Sequence, residues 1–298
     1  MGYRDLWSRL VPLYDEREAK AIVRLLLEER FGLTMADVLA GEMAPATMGD
    51  ELERLMHRLE QGEPVQYVLG EAWFCGHRFH VEPGVLIPRP ETEELVEWVL
   101  GDERFLLWQV SQRAERKMNC EKYGAECKIL DIGTGSGCIA VSLALGMRDE
   151  KPRTYVTAWD ISPTALRIAQ ANAEHLGADV TFVKQDTLYP PNDVAVWDVI
   201  VSNPPYVCER EATQMARHVL EHEPHEALFV PDGDALLFYR SITQYAHRAL
   251  KPSGALYFEI NPLFADELSS MLHAMGFATV QFKSDQFGKC RMVKAERP

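Results

Sequence analysis

The chain has 298 residues, with 31 Lys or Arg against 45 Asp or Glu, which gives a formal net charge of −14. A charge this negative argues against a broad nucleic-acid-binding face, because phosphate binding depends on Lys and Arg. The hydrophobic fraction of 47% and the charged fraction of 26% are those of an ordinary globular protein, and they exclude a disordered chain or a coiled coil.

Targeting signals are absent from the sequence pattern. No apolar run reaches the ~18 residues that a membrane-spanning helix needs, and the first residues lack the apolar core of a signal peptide. Six cysteines stand apart with no Cys-x-x-Cys pair: Cys75, Cys120, Cys127, Cys138, Cys208 and Cys290. This spacing predicts reduced thiols rather than disulfides or a structural zinc site, so we expect a cytoplasmic protein that makes no membrane contact.

The first sixty or so residues have the spacing of short amphipathic helices. Asp15 has the position of a cap, and apolar residues then recur at helical spacing until Gly32. A short second helix begins near Thr34, and a third runs from Asp50 towards Gly62. We therefore expect a small helical domain over residues 1–64.

A different pattern follows this helical region. Residues 65–87 mix aromatic and β-branched residues with glycines, which predicts one or two β-hairpins. Trp73, Phe74 and Phe79 are expected to pack within a hairpin rather than to stack on bases. Helical spacing resumes after Pro90, so residues 65–100 are interpreted as a hairpin and helix connector. The weakly patterned residues 101–128 are interpreted as a variable linker.

Strands and helices alternate after residue 128, which predicts a parallel α/β sheet with helices on both faces. The predicted strands are residues 129–132, 155–159, 180–184, 196–202 and 255–260. The predicted helices are residues 137–145, 163–176, 235–250 and 265–275. Two last strands, at 279–283 and 291–294, are close enough only for an antiparallel hairpin. We expect one α/β domain over residues 129–298.

A glycine-rich loop, Asp131-Ile132-Gly133-Thr134-Gly135-Ser136-Gly137, follows the first of these strands and opens a helix. Glycines there let the backbone turn sharply and approach a ligand. Asp160 closes the next strand, where it is placed to accept hydrogen bonds from ribose hydroxyls. Asp186 follows the third strand, where it is placed to accept from an adenine amino group. The spacing is not that of a dinucleotide fingerprint, since Cys138 occupies its last glycine position, and the loop lacks the Lys of a P-loop.

The segment Asn203-Pro204-Pro205-Tyr206 follows the fourth strand, at the edge where open α/β sheets bind ligands. Prolines lack N–H groups, so this turn is rich in hydrogen-bond acceptors. A planar amino group held there donates one hydrogen to the Asn203 side-chain oxygen and one to the Pro204 carbonyl, while Tyr206 covers its flat face. Such a site works by positioning the reactants and needs no strong base.

These motifs carry a resemblance to a known family. The glycine loop resembles the S-adenosylmethionine loop of Rossmann-like methyltransferases, and Asn-Pro-Pro-Tyr resembles the motif of enzymes that methylate planar nitrogens. Residues 62–70 (Gly-Glu-Pro-Val-Gln-Tyr-Val-Leu-Gly) and 86–93 (Leu-Ile-Pro-Arg-Pro-Glu-Thr-Glu) resemble the protein N5-glutamine methyltransferases that modify peptide chain release factors. So do Glu223-Pro224 with Ala227-Leu228, and residues 285–289 (Asp-Gln-Phe-Gly-Lys) with Arg291. The resemblance is weak over residues 101–128 and at Asn261-Pro262, where the family usually has a glycine.

The resemblance implies a Rossmann-like methyltransferase sheet that ends in an antiparallel hairpin, preceded by a helical domain that recognises the substrate. The implied substrate is the glutamine of a Gly-Gly-Gln loop in release factors, with no direct nucleic-acid partner. The implied contacts of S-adenosylmethionine are Gly133, Thr134, Gly135, Ser136, Gly137, Asp160, Asp186, Thr187 and Asn203. The implied contacts of the glutamine are Asn203, Pro204, Pro205 and Tyr206, with Asn203, Pro204 and Tyr206 as the catalytic residues.

Three other interpretations stay open. A sister group of enzymes modifies a large-subunit ribosomal protein, but its pattern lacks the Arg-Pro-Glu-Thr-Glu run found here at residues 89–93. An adenine-N6 methyltransferase shares Asn-Pro-Pro-Tyr but needs a basic surface. A module that binds the cofactor and only scaffolds a partner would have no use for an intact Asn203.

Several other residues are set aside. His218, His222 and His225 form the densest group of possible metal ligands, but Pro224 interrupts their helix and the spacing is not His-Glu-x-x-His, so we expect no metal site. Cys138 has the features of a small buried residue rather than a nucleophile. Arg89 is either a surface or a substrate-binding residue, and the acidic residues 91–94 are interpreted as charging the first turn of a helix.

Overall fold

The computed structural model describes residues 2–39, 49–102, 126–148 and 153–298. They form two compact units, the first comprising Met1–Ala72, Val81–Pro83 and Gln214–Glu223, and the second comprising Trp73–His80, Gly84–Thr213 and Pro224–Pro298. The domain boundaries expected at residues 64, 100 and 128 stay predictions, and most of the proposed linker lies outside the described residues. Over the described ranges, none of the helices has both the length and the apolar character required to cross a bilayer.

The helices and strands of the described residues are numbered here in chain order. The helices are α1 (Tyr3–Ser8), α2 (Glu16–Phe31), α3 (Met35–Leu39), α4 (Gly49–Glu60), α5 (Val65–Leu69), α6 (Pro90–Leu100), α7 (Cys138–Gly146), α8 (Pro163–Leu176), α9 (Arg217–His222), α10 (His225–Leu228), α11 (Leu237–Ala249) and α12 (Ala265–Ala274). The strands are β1 (Glu71–Phe74), β2 (His77–His80), β3 (Glu126–Ile132), β4 (Arg153–Asp160), β5 (Val180–Lys184), β6 (Trp197–Ser202), β7 (Val207–Cys208), β8 (Phe229–Val230), β9 (Leu250–Glu259), β10 (Thr279–Ser284) and β11 (Cys290–Glu296).

The first unit is helical, as predicted. Asp15 caps α2 by accepting the Glu18 backbone N–H at 2.9 Å, and Gly32 ends that helix in the left-handed conformation. Apolar side chains of α1, α2, α4 and α5 form one buried cluster. Helix α9 also belongs to this unit, where the His218 ring lies 5.8 Å from the ring of Tyr14. Helices α1 and α5 are too short for periodicity to reveal them, whereas α9 is the helix that Pro224 interrupts.

The segment expected to hold one or two hairpins begins instead with a helix. Residues Val65–Leu69 form α5, which ends at Gly70 with a φ of 78°. The prediction was wrong there because a short run of apolar residues fits a strand or a helix equally well, and the helix buries Val65 and Val68 in the core of its unit.

One hairpin remains, formed by β1 and β2. Its Phe74 and Phe79 rings are buried and meet edge to face at 5.9 Å, as predicted. The expectation is wrong for Trp73, which is 51% exposed and lies 4.9 Å from the Arg78 guanidinium. Alternation explains the difference, since neighbouring residues of a strand face opposite sides.

The second unit is built on a seven-stranded sheet of order β10-β11-β9-β6-β3-β4-β5. Five neighbouring strands are parallel to one another, namely β9, β6, β3, β4 and β5. Strand β11 is antiparallel to both β9 and β10. Alternate strand residues enter two separate cores, one with α6 and α7 and the other with α11 and α12. The predicted α/β fold class with an antiparallel end is confirmed.

Most boundaries in this unit agree with the sequence. Helix α8 spans the predicted residues 163–176, and β5 the predicted 180–184. Strand β9 begins five residues earlier than expected, at Leu250, because it includes an irregular stretch with Ser253 at a positive φ of 61°. The two-residue strands β7 and β8 pair in parallel as a separate ladder that the sequence did not predict.

Candidate active site

The strand order places three loops at one edge of the sheet. The chain runs from β3 through β4 to β5 on one side, and β6 then returns to pair with the other side of β3. Ile132 pairs with Trp159 of β4 and with Ser202 of β6. The glycine loop, Asp160 and Asn203 therefore follow neighbouring strand ends, at the switch point where open α/β sheets bind ligands.

The glycine loop turns immediately after β3. The backbone N–H groups of Gly133 and Thr134 both donate to the Trp159 carbonyl at 2.9 Å. Gly133 and Gly135 have positive φ angles of 76° and 55°, and a Cβ added to either would meet no atom within 4 Å. This open space beside a bare backbone fits a ligand laid against the loop, as S-adenosylmethionine binding requires.

Gly137 serves a different purpose in the same loop. Its φ is 83°, and an added Cβ would lie 3.0 Å from the Cβ of Ala169 and 3.1 Å from its Cα. The missing side chain thus lets the start of α7 approach α8. Of the three glycines, two face open space and one permits helix packing.

Asp131 stabilises the glycine loop through buried hydrogen bonds. Its carboxylate is fully buried, and Oδ2 accepts the Thr134 hydroxyl at 2.7 Å and the Ala140 N–H at 3.2 Å. Its Oδ1 has no hydrogen-bond partner within the described part of the chain. Burial raises the pKa of Asp131 to about 7, although the two hydrogen bonds favour the charged form. Asp131 therefore supports the loop rather than meeting the ligand.

Asp160 closes β4 and touches the loop directly. Its Oδ2 accepts the Gly135 N–H and its Oδ1 accepts the Ser162 N–H, both at 2.9 Å. Burial raises the pKa of Asp160, and these N–H groups oppose that rise. Each carboxylate oxygen has a second lone pair, so Asp160 can still accept from a diol.

A buried asparagine holds the loop from the other side. Asn172, on α8, donates through Nδ2 to the Ser136 carbonyl at 2.8 Å and to the His80 carbonyl at 3.0 Å. Its Oδ1 accepts the His80 N–H at 2.7 Å. The sequence did not reveal this role, because its partners are distant along the chain and an Asn within a helix is usually solvated.

Asp186 and Thr187 lie in the turn after β5, two and three residues beyond the strand end. The Asp186 Oδ1 accepts the Leu188 N–H at 2.8 Å, and the Thr187 carbonyl accepts the Ser241 hydroxyl at 2.6 Å. The residue before them, Gln185, donates its N–H to the Asp160 carbonyl at 3.0 Å. The turn is therefore adjacent to Asp160, on the side of β5.

The Asn-Pro-Pro-Tyr segment is held at both ends. Asn203 is half-buried and Pro204 is buried, directly after β6. The Asn203 Nδ2 donates to the Thr92 hydroxyl oxygen at 3.2 Å, and the Tyr206 hydroxyl donates to Glu259 Oε1 at 2.9 Å. Burial and the neighbouring Glu259 raise the pKa of Tyr206 well above its ordinary value, so the phenol stays protonated.

Glu259 joins the two ends of that segment. It closes β9 and is buried, and its Oε2 accepts the Thr92 hydroxyl at 2.5 Å. Burial raises the pKa of Glu259, while the bonds from Thr92 and Tyr206 and the charge of Arg291 favour its ionised form. Neither Glu259 nor Thr92 was predicted from the sequence to belong to the site. The signal for Glu259 was an acidic residue at the end of an apolar strand, the same pattern that drew attention to Asp160.

Comparison with known proteins agrees with this geometry. Residues 116–253 match the Methyltransferase small domain and residues 8–70 match the PrmC N-terminal domain. The chain is 42% identical to the release factor glutamine methyltransferase of Bacteroides thetaiotaomicron, over 97% of this chain and 96% of that one. The chain belongs to the release factor glutamine methyltransferase family. A second member, from Flavobacterium psychrophilum, is 40% identical over 96% of this chain and 94% of its own.

As a member of the release factor glutamine methyltransferase family, the chain is an S-adenosylmethionine-dependent methyltransferase, as the glycine loop predicts. A solved structure of the T. Thermophilus 16S rRNA N2 G1207 methyltransferase (RsmC), in complex with AdoMet and guanosine, shares the fold. It has a TM-score of 0.50 and 19% identity, and the match covers 76% of this chain and 50% of that one. At this identity the likeness concerns the fold alone.

The structure also shows where the residues lie that were considered from the sequence but not assigned to the site. Cys138 is buried, as predicted, and burial raises its pKa to about 12, which disfavours the thiolate. In the described residues no three His, Cys, Asp or Glu side chains are grouped to hold a metal ion. Arg89 is the residue before α6, and Glu91 and Glu93 lie in the first turn of that helix, as predicted.

Proposed function

We propose that this enzyme transfers a methyl group from S-adenosylmethionine to the side-chain amide nitrogen, N5, of the glutamine in the Gly-Gly-Gln motif of peptide chain release factors. The observation that carries the proposal is the hydrogen bond from Asn203 Nδ2 to Thr92. In this bond the Asn203 nitrogen donates to Thr92, so Asn203 Oδ1 is left as the acceptor for a substrate amide. The names of the curated relatives support a release factor as the substrate.

The chemistry needs an amide nitrogen to become a nucleophile. Its lone pair is delocalised into the carbonyl group, so the planar amide is a poor nucleophile. Asn203 Oδ1 and the Pro204 carbonyl would each accept one of its two hydrogens. That arrangement aims the nitrogen and favours the pyramidal geometry in which its lone pair is available. Most of the rate enhancement then comes from orientation.

When bound, S-adenosylmethionine supplies an electrophilic methyl group on a sulfonium. In the proposed transfer, formation of the nitrogen–carbon bond would break the carbon–sulfur bond, and the electron pair of that bond would stay on sulfur in the departing thioether. The positive charge then rests on the amide nitrogen, whose proton leaves to water. No strong base is required, which agrees with the raised pKa of Tyr206, since a protonated phenol cannot act as one.

We also propose the contacts of the cofactor and the substrate. Gly133, Thr134, Gly135, Ser136 and Gly137 would provide the backbone surface for the cofactor, Asp160 would bind the ribose, and Asp186 with Thr187 would border the adenine. Asn203 to Tyr206 would hold the glutamine, and the helical residues 1–64 would recognise the release factor. Cytoplasmic location is proposed because the described cysteines are free thiols.

The decisive test incubates the enzyme with methyl-labelled S-adenosylmethionine and a release factor. A matched release factor, with the Gly-Gly-Gln glutamine replaced by alanine, is the control. We expect label on the first protein only, and mass spectrometry should place the added methyl on the glutamine side chain. Equal labelling of both proteins would overturn the glutamine assignment.

The alternative functions predict different outcomes in the same labelling experiment. Label on a large-subunit ribosomal protein, but not on a release factor, would assign the chain to the sister activity. Label on adenine in nucleic acid, with affinity falling steeply as salt rises, would make it an adenine-N6 enzyme. Partner capture without methylation of any substrate would leave only a scaffold.

A further inference from the structure

Three side chains from separate elements form a hydrogen-bonded relay at the substrate turn, residues 203–206, and two of the three are buried. Thr92 comes from α6, Glu259 from the end of β9, and Asn203 from the turn after β6. Thr92 Oγ1 lies 2.5 Å from Glu259 Oε2 and 3.2 Å from Asn203 Nδ2. Thr92 is 2% exposed and Glu259 is 1% exposed, so water does not compete for these bonds.

We propose that Thr92 and Glu259 are positioning residues that determine which atom of the Asn203 side-chain amide faces the substrate. The inference rests on the function proposed above and identifies what makes Asn203 an acceptor there. The oxygen and nitrogen of a side-chain amide have nearly the same shape, so packing alone does not choose between the two orientations. Hydrogen-bond direction can choose.

The direction of the relay follows from the chemistry of its first member. An ionised carboxylate has no hydrogen to give, so the Thr92 hydroxyl must donate to Glu259. Thr92 Oγ1 is then left with lone pairs, which accept only from the NH₂ group of Asn203. Asn203 Oδ1 becomes the atom available to a substrate. With the opposite direction, Asn203 would present hydrogens to the hydrogens of the substrate amide.

The same carboxylate also fixes the far end of the turn. Glu259 Oε1 accepts the Tyr206 hydroxyl at 2.9 Å, and the Tyr239 hydroxyl donates to the Glu259 carbonyl at 3.0 Å. One buried group therefore orients both Asn203 and Tyr206. Burial raises the pKa of Glu259, while the hydrogen bonds from Thr92 and Tyr206 and the charge of Arg291 oppose that rise and favour the ionised form.

The sharpest test is Glu259→Gln, which keeps the shape and reverses the relay. The new Oε1 would accept from Tyr206, and the new Nε2 would donate to Thr92 Oγ1. The Thr92 hydroxyl would then donate to Asn203, which favours the flipped amide. Because a neutral side chain avoids the cost of burying a charge, we expect the unfolding midpoint to change little while kcat falls at least ~10-fold through misorientation.

Thr92→Val and Thr92→Ser provide a matched pair. Valine keeps the volume and removes the hydroxyl, whereas serine keeps the hydroxyl. We expect Thr92→Val to lower kcat at least ~10-fold with unchanged affinity for S-adenosylmethionine, and Thr92→Ser to restore most of the turnover. In an Asn203→Ala background, Thr92→Val should have little further effect on the single-turnover rate, since Asn203 transmits its action.

Each outcome bears on one proposal. The positioning role is overturned if Glu259→Gln retains wild-type kcat, if the serine and valine variants are equally active, or if Thr92→Val lowers the residual rate of Asn203→Ala by its full factor. These results count once the wild-type enzyme has labelled the Gly-Gly-Gln release factor. Failure of the wild-type enzyme to label it would instead overturn the proposed function.

Discussion

Ser202 donates its hydroxyl hydrogen to the carbonyl oxygen of Ile132 over 2.6 Å, with both residues buried. The bond joins the last residues of β6 and β3, immediately before Asn203 and Gly133. The cofactor loop and the substrate turn therefore start from one fixed point in the sheet, and the distance between them is set by strand pairing. A reaction that depends on bringing a methyl group to a nitrogen benefits from this rigidity.

Replacing Asn203 with alanine should remove an acceptor for the substrate amide. We expect kcat to fall ~10²-fold or more, because the nitrogen is no longer aimed, with affinity for S-adenosylmethionine nearly unchanged. Turnover and calorimetric titration of the cofactor measure the two effects. The control is Asn192→Ala, which removes an exposed asparagine and should leave both unchanged. A parallel loss of cofactor binding in Asn203→Ala would contradict the role.

Replacing Asn172 with alanine should loosen the glycine loop. The change removes three hydrogen bonds, and the Ser136 carbonyl loses the Asn172 donor, at ~1–3 kcal/mol for an unsatisfied group. We expect a lower unfolding midpoint and weaker cofactor binding. Gln170→Ala on the same helix is the control, since its bond to Glu174 is exposed. Comparable losses of stability and cofactor binding in the two variants would contradict the role of Asn172 in holding the glycine loop.

Replacing Gly137 with alanine should destabilise the protein more than the same change at Gly177. Both glycines have positive φ angles, of 83° and 69°, so both substitutions carry backbone strain. Only at Gly137 does the new methyl collide with backbone and Cβ atoms, those of Ala169, which adds ~1–3 kcal/mol of overpacking. Denaturant unfolding of both variants measures the difference. Equal losses of stability in the two variants would show that α7 and α8 can move apart enough to accommodate the added methyl group.

The Asp131→Asn variant should change how stability depends on pH. The pKa of Asp131 is about 7 in the folded protein, against ~3.9 in an unfolded chain. An acid with a raised pKa holds its proton more tightly when folded, so its contribution to the free energy of unfolding falls as pH rises from ~4 to ~7 and stays level above that. Asparagine cannot ionise, so the variant lacks this part of the slope.

Thermal unfolding of the wild type and Asp131→Asn, in steps from about pH 5 to pH 8, measures the predicted difference. Glu259, whose pKa is also raised, is present in both proteins and cancels in the comparison. The charge of Asp160 helps to raise the pKa of Asp131, so the interaction of these two carboxylates is part of the measured difference. The two proteins should converge towards low pH and diverge as pH rises, with the variant the more stable. Parallel curves would mean that Asp131 does not titrate in this range.

The sequence predicted features whose causes are local. Helix α8 was placed correctly because Ser162 caps it, Pro163 begins it and Gly177 ends it, and all three are visible in the sequence. The antiparallel end of the sheet followed from the short distance between the last two strands. The sequence predicted that Asp160 and Asn203 lie at one edge of the sheet, because the carboxyl ends of parallel strands meet there, and the structure has them at neighbouring strand ends.

Features that depend on distant partners were not predictable in the same way. Thr92 and Glu259 are 167 positions apart, and Asn172 and His80 are 92 apart, so no local pattern links them. Thr92 also stands among glutamates in the first turn of a helix, where a surface position is the ordinary expectation. Helix α5 was missed for a different reason, since its short apolar segment acquires its conformation from the core that it completes.

The position of helix α9 in the chain determines when, during synthesis, the first compact unit becomes complete. Its residues belong to the compact unit formed by the first 72 residues, yet they are translated only after most of the α/β sheet, including β6. Until the ribosome has passed Glu223, Tyr14 lacks the ring of His218 beside it. The amino-terminal unit is therefore complete only late in synthesis, and a fragment that ends at Ala72 lacks the residues Val81–Pro83 and Gln214–Glu223 of that unit.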